Sequence, residues 1–155
     1  MAGKDTFTVE RSTTIDAPAA AVFARLVDFH RWGEWSPWED IDPAMSRTFS
    51  GAESGVGAVY EWSGNKKAGA GRMEVLAVEA PGAATIDLQF LKPFKAHNTI
   101  RFTLAEESGA TAVTWTMTGP TTFMTRVMGI FKSMDAMVGP DFEKGLARLK
   151  AAAED

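Results

Sequence analysis

Apolar positions alternate with polar ones along Thr6 to Ile15, TFTVERSTTI, which puts Phe7, Val9 and Ile15 on one side, the period of a half-buried strand. The run ends at Asp16-Ala17-Pro18, where a proline suits the first turn of a helix. A stripe of Val22, Phe23, Leu26 and Val27 then predicts an amphipathic helix. A second, short helical piece from Asp28 to Trp35 is expected to stop before Pro37, because proline disfavours helical geometry in the residue before it. From Arg47 to Pro120 the period becomes two and strands follow one another. The last stretch returns to helical spacing through Phe123, Val127, Ile130, Phe131 and Met134, then Phe142, Leu146 and Leu149. Gly139-Pro140 interrupts it, so a kink or two helices meeting is expected there, with Gly145 letting the docked half approach closely.

The strand region also constrains register. In AVYEWSGNKKAGAGRMEV, a hairpin turning at Asn65-Lys66 sets Trp62 opposite Gly69, Tyr60 opposite Gly71, Ala58 opposite Met73 and Val56 opposite Val75. Each bulky ring then covers a glycine, while Glu61, Arg72 and Glu74 take the other face. A two-residue turn at Ser108-Gly109 pairs Leu104 with Val113, Phe102 with Trp115, Ile100 with Met117 and Asn98 with Gly119. Ile86, Leu88 and Phe90 share a face. They align with Ile100 and Phe102 only through an odd-length loop or a bulge around Lys92-Pro93-Phe94.

These elements predict an α+β domain, a largely antiparallel sheet whose apolar face is covered by helices. The inner face would carry Phe7, Val9, Tyr60, Trp62, Met73, Val75, Ile86, Leu88, Phe90, Ile100, Phe102, Trp115 and Met117. A strongly curved sheet around one helix can leave space that side chains do not fill, and that space would be a ligand cavity. The length of 155 residues and 45% hydrophobic content suit one domain over residues 1–155. A formal charge of −4, with no basic run longer than Lys66-Lys67, gives no footprint for nucleic acid. Without cysteine there is neither disulfide nor thiolate chemistry. No segment approaches the roughly 20 apolar residues of a membrane span, and the N-terminus lacks an apolar leader core, so the expectation is a cytoplasmic protein.

The order of strand, two short helices, long antiparallel meander and C-terminal helix resembles the helix-grip fold of the START-like, or SRPBCC, superfamily. Within it, the chain resembles the polyketide cyclase/dehydrase-like branch. The segments that carry this are IDAPAAAVFARLVDFHRWGEWSPW, GVGAVYEWSGN, FLKPF, TAVTWTMTG and MDAMVGPDFEKGLARLK, from Ile15 to Lys150. The resemblance implies an elongated apolar cavity between a curved sheet and the C-terminal helix. It does not fix the function, because lipid carriers, cyclases, hormone receptors and chaperone co-factors share that scaffold.

Few residues carry candidate chemistry. Trp32 and Trp35, three apart on a helical piece, either plug the core or face the cavity mouth; burial of aromatic area favours the core. Trp38 follows Pro37 and is not fixed by that spacing. Asn98 faces inward beside Leu88 and Gly119, where an unpartnered amide costs about 1 to 3 kcal/mol, so a ligand, a water or a backbone group has to satisfy it. Strict alternation also turns Arg11 inward, towards an anionic ligand or a buried carboxylate, unless a bulge returns it to solvent. The bulge is favoured, since periodicity slips near strand ends. His30 and His97 read as surface residues outside any metal-ligand spacing. Asp135, Asp141 and Glu143 read as helix-face and capping carboxylates. The absence of an inward carboxylate pair weakens general acid-base chemistry. Gly55 and Gly57 do not stand between a strand and a helix, so a nucleotide fingerprint fails its context test. Met117, Met124, Met128, Met134 and Met137 would adapt to different ligands or simply fill the core.

The leading expectation is therefore a module that binds a small hydrophobic, aromatic or lipid-like molecule. Asn98, Arg11, Tyr60, Trp62, Met73, Leu88, Phe90, Phe102, Trp115, Met117 and Trp35 would be the ligand-binding residues, with no cofactor and no metal. A polyketide cyclase or dehydratase, in which the pocket enforces a reactive conformation and Tyr60, Arg11 or Asn98 polarises a carbonyl, is the alternative. A chaperone co-factor-like protein-interaction domain is the third. Ligand identity and oligomeric state stay open.

Overall fold

The computed structural model describes residues 6–36, 42, 44–65, 69–92, 95–120 and 134–154, with the backbone alone for 134–137. In chain order these are β1 (Thr6–Ile15), α1 (Ala19–Val27), a 3-10 helix (Phe29–Glu34), β2 (Ser46–Gly51), β3 (Ala58–Ser63), β4 (Ala70–Glu79), β5 (Ala83–Lys92), β6 (Ala96–Glu107), β7 (Ala110–Pro120) and α2 (Met134–Glu154). Among the described residues the seven strands form one sheet, ordered β1-β7-β6-β5-β4-β3-β2, with every pair antiparallel. With α2 packed along it, this is the α+β domain that the sequence pattern predicts, in the helix-grip arrangement that the resemblance implies.

Local chemistry sets most of the register. Ser108 and Gly109 both have positive φ, 54° and 82°, the geometry of a tight hairpin turn whose twist matches its strands. Leu104 then faces Val113, Phe102 faces Trp115 and Ile100 faces Met117, as the alternation predicts. Between β5 and β6, Ile86 faces Ile100, Leu88 faces Asn98 and Phe90 faces Ala96, which requires the expected odd-length connection. Pro93 and Phe94 of that connection lie outside the described residues. β1 runs against β7 without interruption from the Thr6–Pro120 pair to the Ile15–Thr111 pair.

Two features depart from the pattern. In the β3–β4 hairpin, Tyr60 faces Met73 and Trp62 faces Gly71, two residues from the expected pairing. The turn is longer than Asn65-Lys66 alone: the Gly64 amide donates to the Gly69 carbonyl at 2.8 Å, and the Gly69 amide to the Asn65 carbonyl at 2.8 Å. A slip of two keeps every side chain on its face. Trp62 therefore still covers a glycine, although Tyr60 does not. Val56, expected opposite Val75, lies outside the strand and is exposed; its neighbour Gly57 donates to the Val75 carbonyl.

The second departure is α2, which runs as one helix through Pro140 instead of dividing at Gly139-Pro140. Proline removes one backbone hydrogen bond there. Burial of Phe142, Leu146 and Leu149, each at most 2% exposed, offsets that loss. Gly145 is buried against the same surface, as expected. The helical positions expected at Phe123, Val127, Ile130 and Phe131, and Met124 and Met128, lie outside the described residues.

Polar ties seat the helices on the sheet. The Glu106 carboxylate accepts from the Ala19 amide at 2.7 Å, which satisfies a donor left open by the start of α1, and Thr111 donates its buried hydroxyl to the Ala17 carbonyl at 2.8 Å. At the far end of α2, Glu154 accepts from the Asp16 amide at 2.8 Å, and Lys150 donates to the Thr14 carbonyl at 3.2 Å.

Candidate functional site

Among the described residues the inner face of the sheet divides into a densely packed half and a more open half whose outer rings are only half-buried. In the packed half, Trp115 stacks on Phe142 of α2 with centroids 4.0 Å apart and planes 6° from parallel. Trp35 meets the edge of Trp115 at 5.4 Å and of Phe102 at 6.1 Å, and touches Trp32 at 4.7 Å. Both indoles of the 3-10 helix have a second task. Trp32 donates to the Leu26 carbonyl at 3.0 Å and Trp35 to the Arg25 carbonyl at 3.2 Å, carbonyls that the last turn of α1 leaves without helical donors. Trp32 and Trp35 are core residues that also cap a helix. Three predicted binding residues, Trp35, Phe102 and Trp115, thus come together in a dense aromatic cluster. Trp38 lies outside the described residues.

The other half follows one row across the sheet. Phe7 faces Gly119, Leu88 faces Asn98, Met73 faces Leu88 and Tyr60 faces Met73. Asn98 and Gly119 complete the row in direct contact, since a Cβ on Gly119 would stand 2.0 Å from the Asn98 Oδ1 and 3.2 Å from the Phe7 ring. Asn98 is 5% exposed, and its amide makes no hydrogen bond to a described residue. One position along, Trp62 lies on the β4 backbone, where a Cβ on Gly71 would approach its ring to 2.3 Å. Tyr60 and Phe90 meet Trp62 edge-on at 6.2 and 5.8 Å. Phe7, Trp62 and Phe90 are half-buried, whereas Tyr60, Met73, Leu88 and Met117 are buried. Phe7 and Gly119, outside the expected binding residues, stand in the same row as Asn98; the Asn98–Gly119 pairing in the β6–β7 register was the signal for Gly119, while Phe7 comes to it through the β1–β7 ladder, which the sequence reading did not pair.

Arg11 corrects an expectation. β1 has no bulge, so the side chain stays on the inner face, 26% exposed, at the sheet edge under α2. It donates through Nε to Glu143 Oε2 at 2.8 Å and through Nη1 to the Glu10 carbonyl at 2.8 Å. Gly139 makes room for the guanidinium, whose Nη2 lies 2.1 Å from where a Cβ would stand. The carboxylate that satisfies Arg11 thus comes from α2, four residues after that glycine. Arg11 does not join the row of Asn98.

The histidines are on the surface, as expected. His30 pairs with Asp28 at 2.8 Å and stacks on Phe49, and His97 contacts Asp87 on the outer face. Burial alone would raise the Asp87 pKa. Hydrogen bonds from Gln89 and His97, with the charges of His97 and Arg72, outweigh it and hold the carboxyl below its ordinary value. Among the described residues no group of three potential ligands could hold a metal ion. A separate open cleft of about 500 Å³ lies between α1 and two sheet loops, lined by Ala20, Phe23, Ala24, Arg31, Ser54 and Pro81 among others; it contains none of the predicted binding residues.

The model of the family described as polyketide cyclase / dehydrase and lipid transport matches residues 6–154. The chain belongs to that family. Solved structures agree on the fold. The di-domain ARO/CYC protein StfQ from the steffimycin biosynthetic pathway superposes with a TM-score of 0.74 at 11% identity, over 99% of this chain and 52% of that one. Protein CV1439 from Chromobacterium violaceum gives 0.68 at 14% identity, over 96% and 97% of the two chains. The Aha1 dimer from Colwellia psychrerythraea gives 0.64 at 16%, over 96% of each. Among curated proteins none matches the chain by sequence. Members of the family share this scaffold of sheet and helix, and no helix among the described residues is long and apolar enough to cross a membrane.

Proposed function

We propose that the protein binds a small hydrophobic molecule against the open half of the inner face, beneath α2, with Asn98 as its polar anchor. The observation that carries this reading is Asn98, a buried residue whose carboxamide makes no hydrogen bond to a described residue, in a row of apolar side chains that ends at Tyr60. A ligand that supplied the missing partner would gain about 0.5 to 1.5 kcal/mol. The half-buried rings of Phe7, Trp62 and Phe90 beside it would supply the apolar walls. The family description, which names lipid transport, supports the same reading. Native mass spectrometry of the purified protein and titration of tryptophan emission with hydrophobic metabolites test it. Failure of a folded sample to retain or bind any of them would sink it.

The family description also names cyclase and dehydrase chemistry, and StfQ is an ARO/CYC protein. In a catalytic reading Tyr60 and Asn98 polarise a substrate carbonyl, since Arg11 is engaged by Glu143. That reading requires turnover that collapses in Tyr60→Phe and Asn98→Leu while the variants stay folded.

A further inference from the structure

We infer that the open half of the inner face selects neutral ligands that present a hydrogen-bond acceptor, a carbonyl or an ether oxygen, to Asn98, and that Gly119 sets this preference by fixing which end of the amide faces the ligand. The inference rests on the binding reading above and adds the polarity of the group recognised.

The orientation comes from Gly119. The atoms nearest its absent Cβ are the Asn98 Oδ1 at 2.0 Å, the Asn98 Cγ at 2.9 Å and a Phe7 ring carbon at 3.2 Å. The amide oxygen therefore lies against the β7 backbone, and the amino group is the end turned away from it. Chemistry favours that orientation over its flip. A carbonyl oxygen over the Cα hydrogens of a glycine makes a weak C–H···O contact, whereas an amino group there would set N–H against C–H. What Asn98 offers to the rest of the inner face is then a donor with no acceptor beside it among the described residues.

The described neighbours carry no charge. Leu88 on β5 and Phe7 and Met73 along the row are apolar, as are Ile100 and Met117 in the next row. The inner-face cation Arg11 sits at the edge and is paired with Glu143. A carboxylate or ammonium brought to Asn98 would lose its hydration without gaining a counter-ion among the described residues, whereas a ketone, ester or quinone oxygen loses little and gains the amide donor. The rings of Trp62 and Phe90, edge-on to each other, favour a flat body behind that oxygen.

Three naphthalenes of similar size test this by calorimetry: 2-acetylnaphthalene, its hydrocarbon isostere 2-isopropenylnaphthalene, and 2-naphthoate. The wild-type protein should bind the ketone about five- to tenfold more tightly than the hydrocarbon, as one neutral hydrogen bond allows, and naphthoate least of all. In Asn98→Leu the ketone and the hydrocarbon should bind alike. Gly119→Ala, which displaces the amide while keeping it, should also narrow the gap, with circular dichroism confirming the fold of both variants. Equal binding of ketone and hydrocarbon by the wild type, or a preference that persists in Asn98→Leu, overturns the inference and leaves the binding reading standing. Binding of none of the three by the folded protein overturns the binding reading and the inference together.

Discussion

Where Trp62 crosses β4, the strand has room for a hydrogen and nothing larger. A methyl group on Gly71 would stand 2.3 Å from the Trp62 ring and 2.6 Å from the Gln89 carbonyl oxygen, a backbone atom that cannot step aside. Gly71→Ala should therefore cost about 1 to 3 kcal/mol in urea unfolding and lift the indole towards solvent, shifting tryptophan emission to the red. Gly119→Ala meets the end of a side chain instead, and should cost less. Equal losses at the two positions would contradict this ordering. The ring-over-glycine pairing was legible from alternation, but the glycine involved was not. That choice depended on the length of a turn in which Asn65, Lys66 and Gly69 were all acceptable to the local chemistry. Asn98 was legible as an inward amide from its distance to the Ser108-Gly109 turn. Its lack of a partner among the described residues required knowing what stands opposite.

At the scale of elements, α2 is held by area far more than by charge. Phe142 lies flat on Trp115, and both are at most 1% exposed. Phe142→Ala should cost about 3 to 5 kcal/mol, and a double-mutant cycle with Trp115→Leu should show a coupling of about 0.5 to 1.5 kcal/mol. Additive losses would mean that the stack adds nothing beyond burial. The Arg11–Glu143 pair is different, because the carboxylate side chain is 62% exposed. Glu143→Gln should change stability by less than about 1 kcal/mol. Gly139→Ala meets only the far end of the Arg11 side chain, so it should displace the guanidinium and also change stability by less than about 1 kcal/mol, the helix propensity gained by alanine offsetting the loss. A fall in denaturant midpoint at Gly139→Ala as large as that at Phe142→Ala would refute the argument. The continuity of α2 through Pro140 could not be read locally: the lost hydrogen bond is visible in the sequence, while the burial that offsets it depends on a sheet folded elsewhere. Arg11 escaped for the same reason. Alternation placed it correctly, but the carboxylate that makes its position tolerable lies on the last helix.

For the whole molecule, two carboxylates link stability to acidity. The backbone amide of Asp16 and the Lys150 ammonium hold Glu154 below its ordinary value. At Asp87, burial acts upward but is outweighed by Gln89, His97 and Arg72. Both folded-state values lie below the unfolded ones. The stabilisation is therefore complete above about pH 4 to 5 and is lost as pH falls through the folded values. Asp87→Asn should be slightly less stable than wild type at pH 7 and should lose less on acidification; an unchanged acid limb in urea midpoints would argue against that role. The sheet itself has an uneven history built into it. Five of its six ladders join neighbours in the chain, while β1 pairs with β7 from the opposite end of the sequence. Of the seven strands β1 is made first and its ladder partner β7 last, so the edge of β1 stays unpaired while the strands between them form their own ladders, and folding during synthesis should close this sheet only once β7 has emerged.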